Sequence, residues 1–154
     1  MENESIKQMW GNYLLSIGES SDATDKNYSA WHFDNNECDA NELAELVLEG
    51  TKRATASLYD SYKNGEEIPK VGDLSIITNW SGIAKCIIMS TSIEVVPYKD
   101  VDEEFAATEG EGDKSLEYWK KVHRKFFTEE LTEIGGEFSE EIPVVCEKFE
   151  VVFK

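Results

Sequence analysis

The sequence predicts an α+β fold, a small β-barrel flanked by helices and preceded by an N-terminal helix, and three observations carry that prediction. Helical and strand periodicities follow one another without a regular strand-helix-strand rhythm, which disfavours a doubly wound parallel sheet. The run from Ala84 to Val96 is apolar on both faces over Cys86 to Met89 and then turns to Ser and Thr, the pattern of a buried strand that bends later and closes a barrel. The chain ends on Val145, Glu147, Phe149, Val151 and Phe153, an alternation that ties the C-terminus into the sheet. With 154 residues, 40% of them apolar and including four Trp, six Tyr and seven Phe, a single packed core is the default.

Ile6, Trp10, Tyr13, Leu14 and Ile17 recur at helical spacing before Gly18 and predict the opening helix. Glu19 to Asn27 lacks periodicity and reads as a polar loop, so residues 1–29 are taken as helix and loop and 30–154 as the body of the domain. The aromatic group Trp31, His32 and Phe33 opens that body, with His32 expected beside Trp31. Asp39 and Glu42 resemble a capping box for a short helix with the stripe Leu43, Leu46, Val47 and a stop at Gly50. Arg53, Thr55 and Ser57 alternate with Ala54 and Ala56, a strand with one polar face.

Gly72-Asp73 and Ser81-Gly82 bound Leu74 to Thr78, which pairs with the following run as a hairpin. An acidic helical turn is expected over Asp100 to Ala107, then the segment Glu109-Gly110-Glu111-Gly112-Asp113, with Asp113 as the cap of the longest helix. That helix carries Leu116, Trp119, Val122, Phe126, Leu131 and Ile134 on one side, with a kink expected near Thr128 and an end at Gly135-Gly136.

The net charge of −17, with only 15 Lys and Arg, repels polyphosphate and anionic membranes, so neither duplex nucleic acid nor a membrane is an expected partner. Cys38, Cys86 and Cys146 are odd in number, far apart and never CxxC; they are expected as buried thiols, with no disulfide, metal or cofactor. Met1 to Ser5 carries two glutamates and no basic stretch leading to an apolar core, so no secretory signal is expected. No segment reaches membrane-spanning length, and a cytoplasmic location is expected. The motifs GxGxxG, GxxxxGK, HExxH and GxSxG are all absent.

What stands out is Gly50-Thr51-Lys52-Arg53-Ala54-Thr55, which puts two cations at a helix end and a hydroxyl three residues later. Lys52 and Thr55 can cooperate only if Lys52 sits in the turn, because an extended strand sends them to opposite faces. The two cations would equally offset the negative end of the preceding helix dipole, and the EGEGD run would equally serve as a solvated capping turn.

Leu43 to Val47, Gly50 to Ser57, Val71 to Leu74, Glu109 to Trp119 and Pro143 to Glu147, in this order, resemble the ASCH domain family in its longer bacterial branch, over residues 30 to 153. The resemblance implies a PUA-like barrel with a cleft for RNA or a modified nucleoside. Some relatives are amidohydrolases that deacetylate acetylcytidine with a lysine, a threonine and a glutamate, and others are reported to cut RNA. In the pattern Gly-Arg-Lys-Thr-x-Thr the chain matches at Gly50, Lys52 and Thr55, with Thr51 and Arg53 departing from it; the glutamate corresponds to Glu109, with Glu111 as its rival.

The expected catalytic set is therefore Lys52, Thr55 and Glu109. Lys52 would act either as base, its pKa lowered by burial and Arg53, or as the charged partner of an oxyanion. Trp31, Arg53, Ser57, Tyr59 and Glu111 are the expected ligand contacts, with Arg53 on a phosphate and Trp31 or Tyr59 stacking on a base. The expected partner is a nucleoside or short single-stranded RNA. An acyl-nucleoside amidohydrolase, a non-catalytic RNA or modified-nucleotide module and a ribonuclease all remain open, and a homodimer is compatible with the sequence.

Overall fold

A computed structural model describes residues 2–64 and 66–154; Met1, where the expected N-terminal segment begins, lies outside them. In chain order the elements are α1 (Glu4–Ser16), β1 (Ser29–Trp31), α2 (Glu37–Glu49), β2 (Ala54–Leu58), β3 (Leu74–Thr78), β4 (Ala84–Pro97), α3 (Glu103–Glu109), α4 (Leu116–Glu133) and β5 (Pro143–Phe153). Short 3-10 turns lie at Tyr59–Asn64 and Tyr98–Asp100. The strands join in the order β1-β3-β4-β5-β2, and the predicted mixed α+β class holds. No described helix is long and apolar enough to cross a membrane.

The chain divides into two compact units. One holds the residues up to Gly50, with Gly72–Ser90 and Glu150–Lys154. Here the Asn3 side chain caps α1, whose Ile6, Trp10, Tyr13 and Leu14 bury against Ile76 and Ile87. β3 pairs in parallel with β1 and antiparallel with β4, with a register shift at Ile77/Thr78 that adds a bulge. The cap of α2 is Asn36 rather than Asp39. Its Oδ1 accepts from the Asp39 amide at 2.9 Å while its Nδ2 donates to the Asp39 carboxylate at 2.8 Å, so Asp39 is the third helical residue of the box and not its start. Gly50, at φ 82°, ends α2 in the left-handed conformation that the sequence predicts. His32 packs on Trp80 at 4.9 Å instead of on Trp31, whose ring meets Phe33 edge-on. Neighbours in an extended strand face opposite ways, which separates Trp31 from His32. Cys38 also departs from expectation: it is exposed in the first turn of α2, whereas Cys86 is buried.

The other unit comprises Thr51–Val71 and Thr91–Phe149. β2 runs antiparallel to β5, Ala54 facing Lys148 through to Leu58 facing Val144. Ala54, Leu58, Val144 and Cys146 point into a core completed by Phe105 and Ala106 of α3 and by Trp119, Phe127 and Leu131 of α4. Burying a Phe or Leu side chain stabilises the fold by roughly 1.5–3 kcal/mol, so these few residues account for much of the docking of α4. Ser115 caps α4, with Asp113 bracing the cap by accepting from both the amide and the hydroxyl of Ser115. The helix runs unbroken from Leu116 to Glu133 through Thr128, and its buried stripe is Trp119, His123, Phe127 and Leu131, every fourth residue. His123 and Phe127 are the buried residues there, Phe126 packs half-buried against the same core, Val122 is half-buried, and Ile134 is exposed.

Candidate functional site

Lys52 sits in the turn between Gly50 and β2, as cooperation with a strand hydroxyl requires, and its side chain is 1% exposed. Two features press this turn onto the end of α3. The Arg53 amide donates to the Thr108 carbonyl at 2.9 Å. Gly110, at φ 73°, ends α3, and a Cβ there would fall onto the carbonyl oxygen of Thr51, so only glycine permits both the left-handed conformation and the close approach. Glu109 and Glu111 flank that glycine and are thereby delivered to Lys52.

The ammonium of Lys52 donates to the Ala54 carbonyl at 2.8 Å, to Glu111 Oε2 at 2.8 Å and to Glu109 Oε2 at 3.2 Å. A lysine has three N–H donors, and these acceptors match them. Glu109, also 1% exposed, is held on its other oxygen: Oε1 accepts from the Trp119 indole at 2.8 Å and lies 3.4 Å from His123 Nε2. The His123 ring stacks on Trp119 at 4.1 Å, with Nδ1 2.9 Å from the Trp119 carbonyl oxygen. Glu111 retains 19% exposure, so among these four ionisable groups it is the one with the widest access to solvent.

Burial opposes the charge on each group, and the neighbours decide the outcome. For Lys52, Glu109 and then Glu111 outweigh burial and raise the pKa above that of an ordinary lysine. Burial lifts Glu109, but Lys52 and then His123 overcome it and hold the carboxyl well below its usual range. Glu111 goes the other way: burial and its hydrogen bond to Glu109 push it up to about 7 against the pull of Lys52. The pair thus resembles other carboxyl pairs in which one member is ionised and the other keeps a proton. Lys52 accordingly stays charged, and Arg53 is exposed on the surface.

Glu109, Glu111 and His123 could also bring three ligand atoms within 4.8 Å of one another around a metal ion. The Lys52 ammonium already bonds both carboxylates, so the place of a cation there is filled by the protein's own charge. Cys38, Asp39 and Glu42 form a second such group, partly exposed, at the start of α2.

Thr55 is half-buried on β2, and among the described residues no hydrogen bond joins it to Lys52, Glu109 or Glu111. Ala54 and Leu58 turn to the core, so Thr55 and Ser57 lie on the opposite face of the strand. Directly across from Thr55 on β5 stands the buried Glu147. Ser57 Oγ lies 2.9 Å from the Tyr62 hydroxyl. Tyr59, 37% exposed, lines an open cavity of about 620 Å³ with Tyr62, Ile68 and Pro69. Trp31 belongs to the other compact unit.

Lys52, Glu109 and Glu111 therefore come together, and the two rival glutamates both take part. His123 and the indole of Trp119 were missing from the sequence reading, which placed Trp119 in the core and gave His123 no role. The signal that could have found them is their spacing: Trp119, His123, Phe127 and Leu131 lie four apart, so a histidine stands on the buried stripe of a helix whose indole faces inward.

Such an α+β protein, with a buried lysine clasped between two carboxyls at the joint of helix and strand, is a PUA-like domain with an ionisable centre. The chain belongs to the ASCH domain family, whose model matches residues 29–153. It is similar over 99% of its length to an ASCH domain from Lactobacillus crispatus JV V101, at 43% identity and a TM-score of 0.91, covering 97% of that chain. A second solved structure, protein EF3133 from Enterococcus faecalis V583, is 33% identical with a TM-score of 0.88, over 97% of this chain and 89% of that one. No curated protein matches the chain.

Proposed function

We propose that the chain is a hydrolase of the amide bond in an acylated nucleoside, with Glu111 as its acid–base group and Lys52 as its fixed positive charge. The observation that carries this reading is the state of Glu111: beside a locked ammonium, it is partly open to solvent and titrates at about 7. A group that must first take a proton and later return it works best when its pKa lies near the operating pH.

In this reading a water molecule attacks the acyl carbon and gives its proton to ionised Glu111; Thr55, on the opposite face of β2, takes no part. The oxyanion that forms gains from the Lys52 charge through space, since the three N–H donors of Lys52 are held by the protein. Collapse breaks the carbon–nitrogen bond as Glu111 gives the proton to the leaving amine, releasing the free acid and the free amine. Glu109 holds Lys52 in place and does not exchange protons with substrate.

The test is to incubate the protein with acetylcytidine and related acyl nucleosides and follow release of the free amine. Turnover that rises with pH through an apparent pKa near 7 to a plateau, and drops at least about 100-fold in Glu111→Gln, is the expected result. Equal turnover in this variant, or none by the unmodified protein, refutes the reading.

One observation favours a second reading. Exposed Tyr59 at the 620 Å³ cavity offers a stacking face for a base, and Arg53 is exposed for a phosphate, as a module that binds short single-stranded RNA would need. Affinity for a short RNA would then fall with salt and with Tyr59→Ala; a flat salt response counts against it. The charge of −17 favours short ligands over long RNA in either case and weighs against a ribonuclease.

A further inference from the structure

Two carboxyls, one ammonium and one shared proton do not by themselves say which carboxyl is ionised. Lys52 bonds both, and one hydrogen bond joins the two carboxyls. Something must decide which of them keeps the proton.

The asymmetry lies on the far side of Glu109. His123 Nδ1 faces the Trp119 carbonyl oxygen at 2.9 Å, an atom that can only accept, so Nδ1 carries a hydrogen. Its Nε2 faces Glu109 Oε1 at 3.4 Å, which, while ionised, also only accepts. Both ring nitrogens therefore call for protons, and the ring in this setting is an imidazolium. The charged groups facing it are Glu109 from α3, Glu111 from the following loop and Lys52 from the turn before β2; on its own helix Trp119 stacks on it and Phe127 meets it edge-on. Burial opposes the extra proton, and Glu109 and then Glu111 outweigh it.

We infer that His123 is a positioning residue: as an imidazolium it holds Glu109 ionised and so leaves the shared proton on Glu111, the carboxyl that reaches solvent. Only the catalytic consequence of this assignment rests on the hydrolase reading above; the distribution of the proton does not. A neutral side chain at 123 removes the positive charge that pairs with Glu109 and not with Glu111. The proton then divides between the two carboxyls, and the pair, having lost a cation, binds it more tightly.

The experiment is a pH titration by NMR with glutamate side-chain carboxyls labelled in carbon-13 and histidine rings in nitrogen-15, on the unmodified protein and on His123→Gln. In the unmodified protein both nitrogens of His123 are expected to remain protonated at pH 7, and a single carboxyl of the pair, Glu111, to titrate near neutrality. In His123→Gln that titration is expected to move up by about one pH unit or more and to appear at both Glu109 and Glu111. A neutral His123 ring at pH 7 overturns the inference, as does a variant in which the same single carboxyl titrates at the same pH. Should His123→Gln fail to fold, the ring signal of the unmodified protein decides alone. Absence of acyl-nucleoside turnover would count against the proposed function and leave these titrations to judge His123 independently.

Discussion

Glutamine at position 111 keeps the size and hydrogen bonding of the neutral carboxyl and removes its ability to ionise. In the folded protein Glu111 titrates at about 7 rather than at its ordinary 4.5. Between those values the folded state binds more protons than the unfolded chain, so this group's contribution to stability is fully present below about pH 4.5 and is lost as pH rises through 7. A displacement of about 2.5 pH units at about 1.36 kcal/mol each makes that loss about 3 kcal/mol. Glu109, held well below its ordinary range, is ionised throughout that interval and cancels in the comparison. Glu111→Gln should therefore match the unmodified protein near pH 5 and exceed it near pH 8 by up to about 3 kcal/mol, equivalent to a urea midpoint about 1–2 M higher. Urea melts of both proteins at the two pH values, followed by tryptophan fluorescence, measure it. An offset of the same size and sign at pH 5 and pH 8 would refute the assignment of the proton to Glu111.

Three further outcomes follow from the same geometry. Lys52→Met strips the ammonium from two buried carboxyls and should cost about 3–5 kcal/mol at pH 8, with part recovered at pH 5 as the pair takes up protons; urea melts at both pH values check it. Gly50 and Gly110 both adopt positive φ, but a Cβ at Gly50 meets open space whereas at Gly110 it strikes the Thr51 backbone. Gly50→Ala should cost about 1 kcal/mol and Gly110→Ala at least twice that, by thermal or urea unfolding. Cys38 is exposed while burial pushes Cys86 up to about 11 and Cys146 to about 12, so a colorimetric thiol reagent at pH 8 should find one fast thiol in the native protein and three after denaturation. Two or more fast thiols would contradict the burial of the strand cysteines.

Much of the fold was legible because it rests on local signals. The alternation around Thr55 marked β2, Gly50 marked the end of α2, and the Gly72-Asp73 and Ser81-Gly82 pairs marked the β3–β4 hairpin. The errors were of phase. On α4 the stripe Trp119, His123, Phe127, Leu131 and the sequence-based choice of Val122 and Phe126 differ by one position on the helix, and apolar periodicity alone does not separate two adjacent phases when both contain aromatics. Asp39 and Asn36 are both good caps, and the choice between them was made by which side chain reaches which amide.

By itself the sequence determined the α+β class, the family resemblance, and the delivery of Lys52 and the EGEGD glutamates as candidates, since glycines and alternation act on neighbouring residues. Only the tertiary structure decided that both glutamates close on one ammonium, that His123 and Trp119 stand behind Glu109, and that Thr55 faces Glu147 across the sheet. The physical reason is that a proton's location depends on every charge within a few ångströms, and those charges come from a turn, a helix end and a helix face that are far apart along the chain.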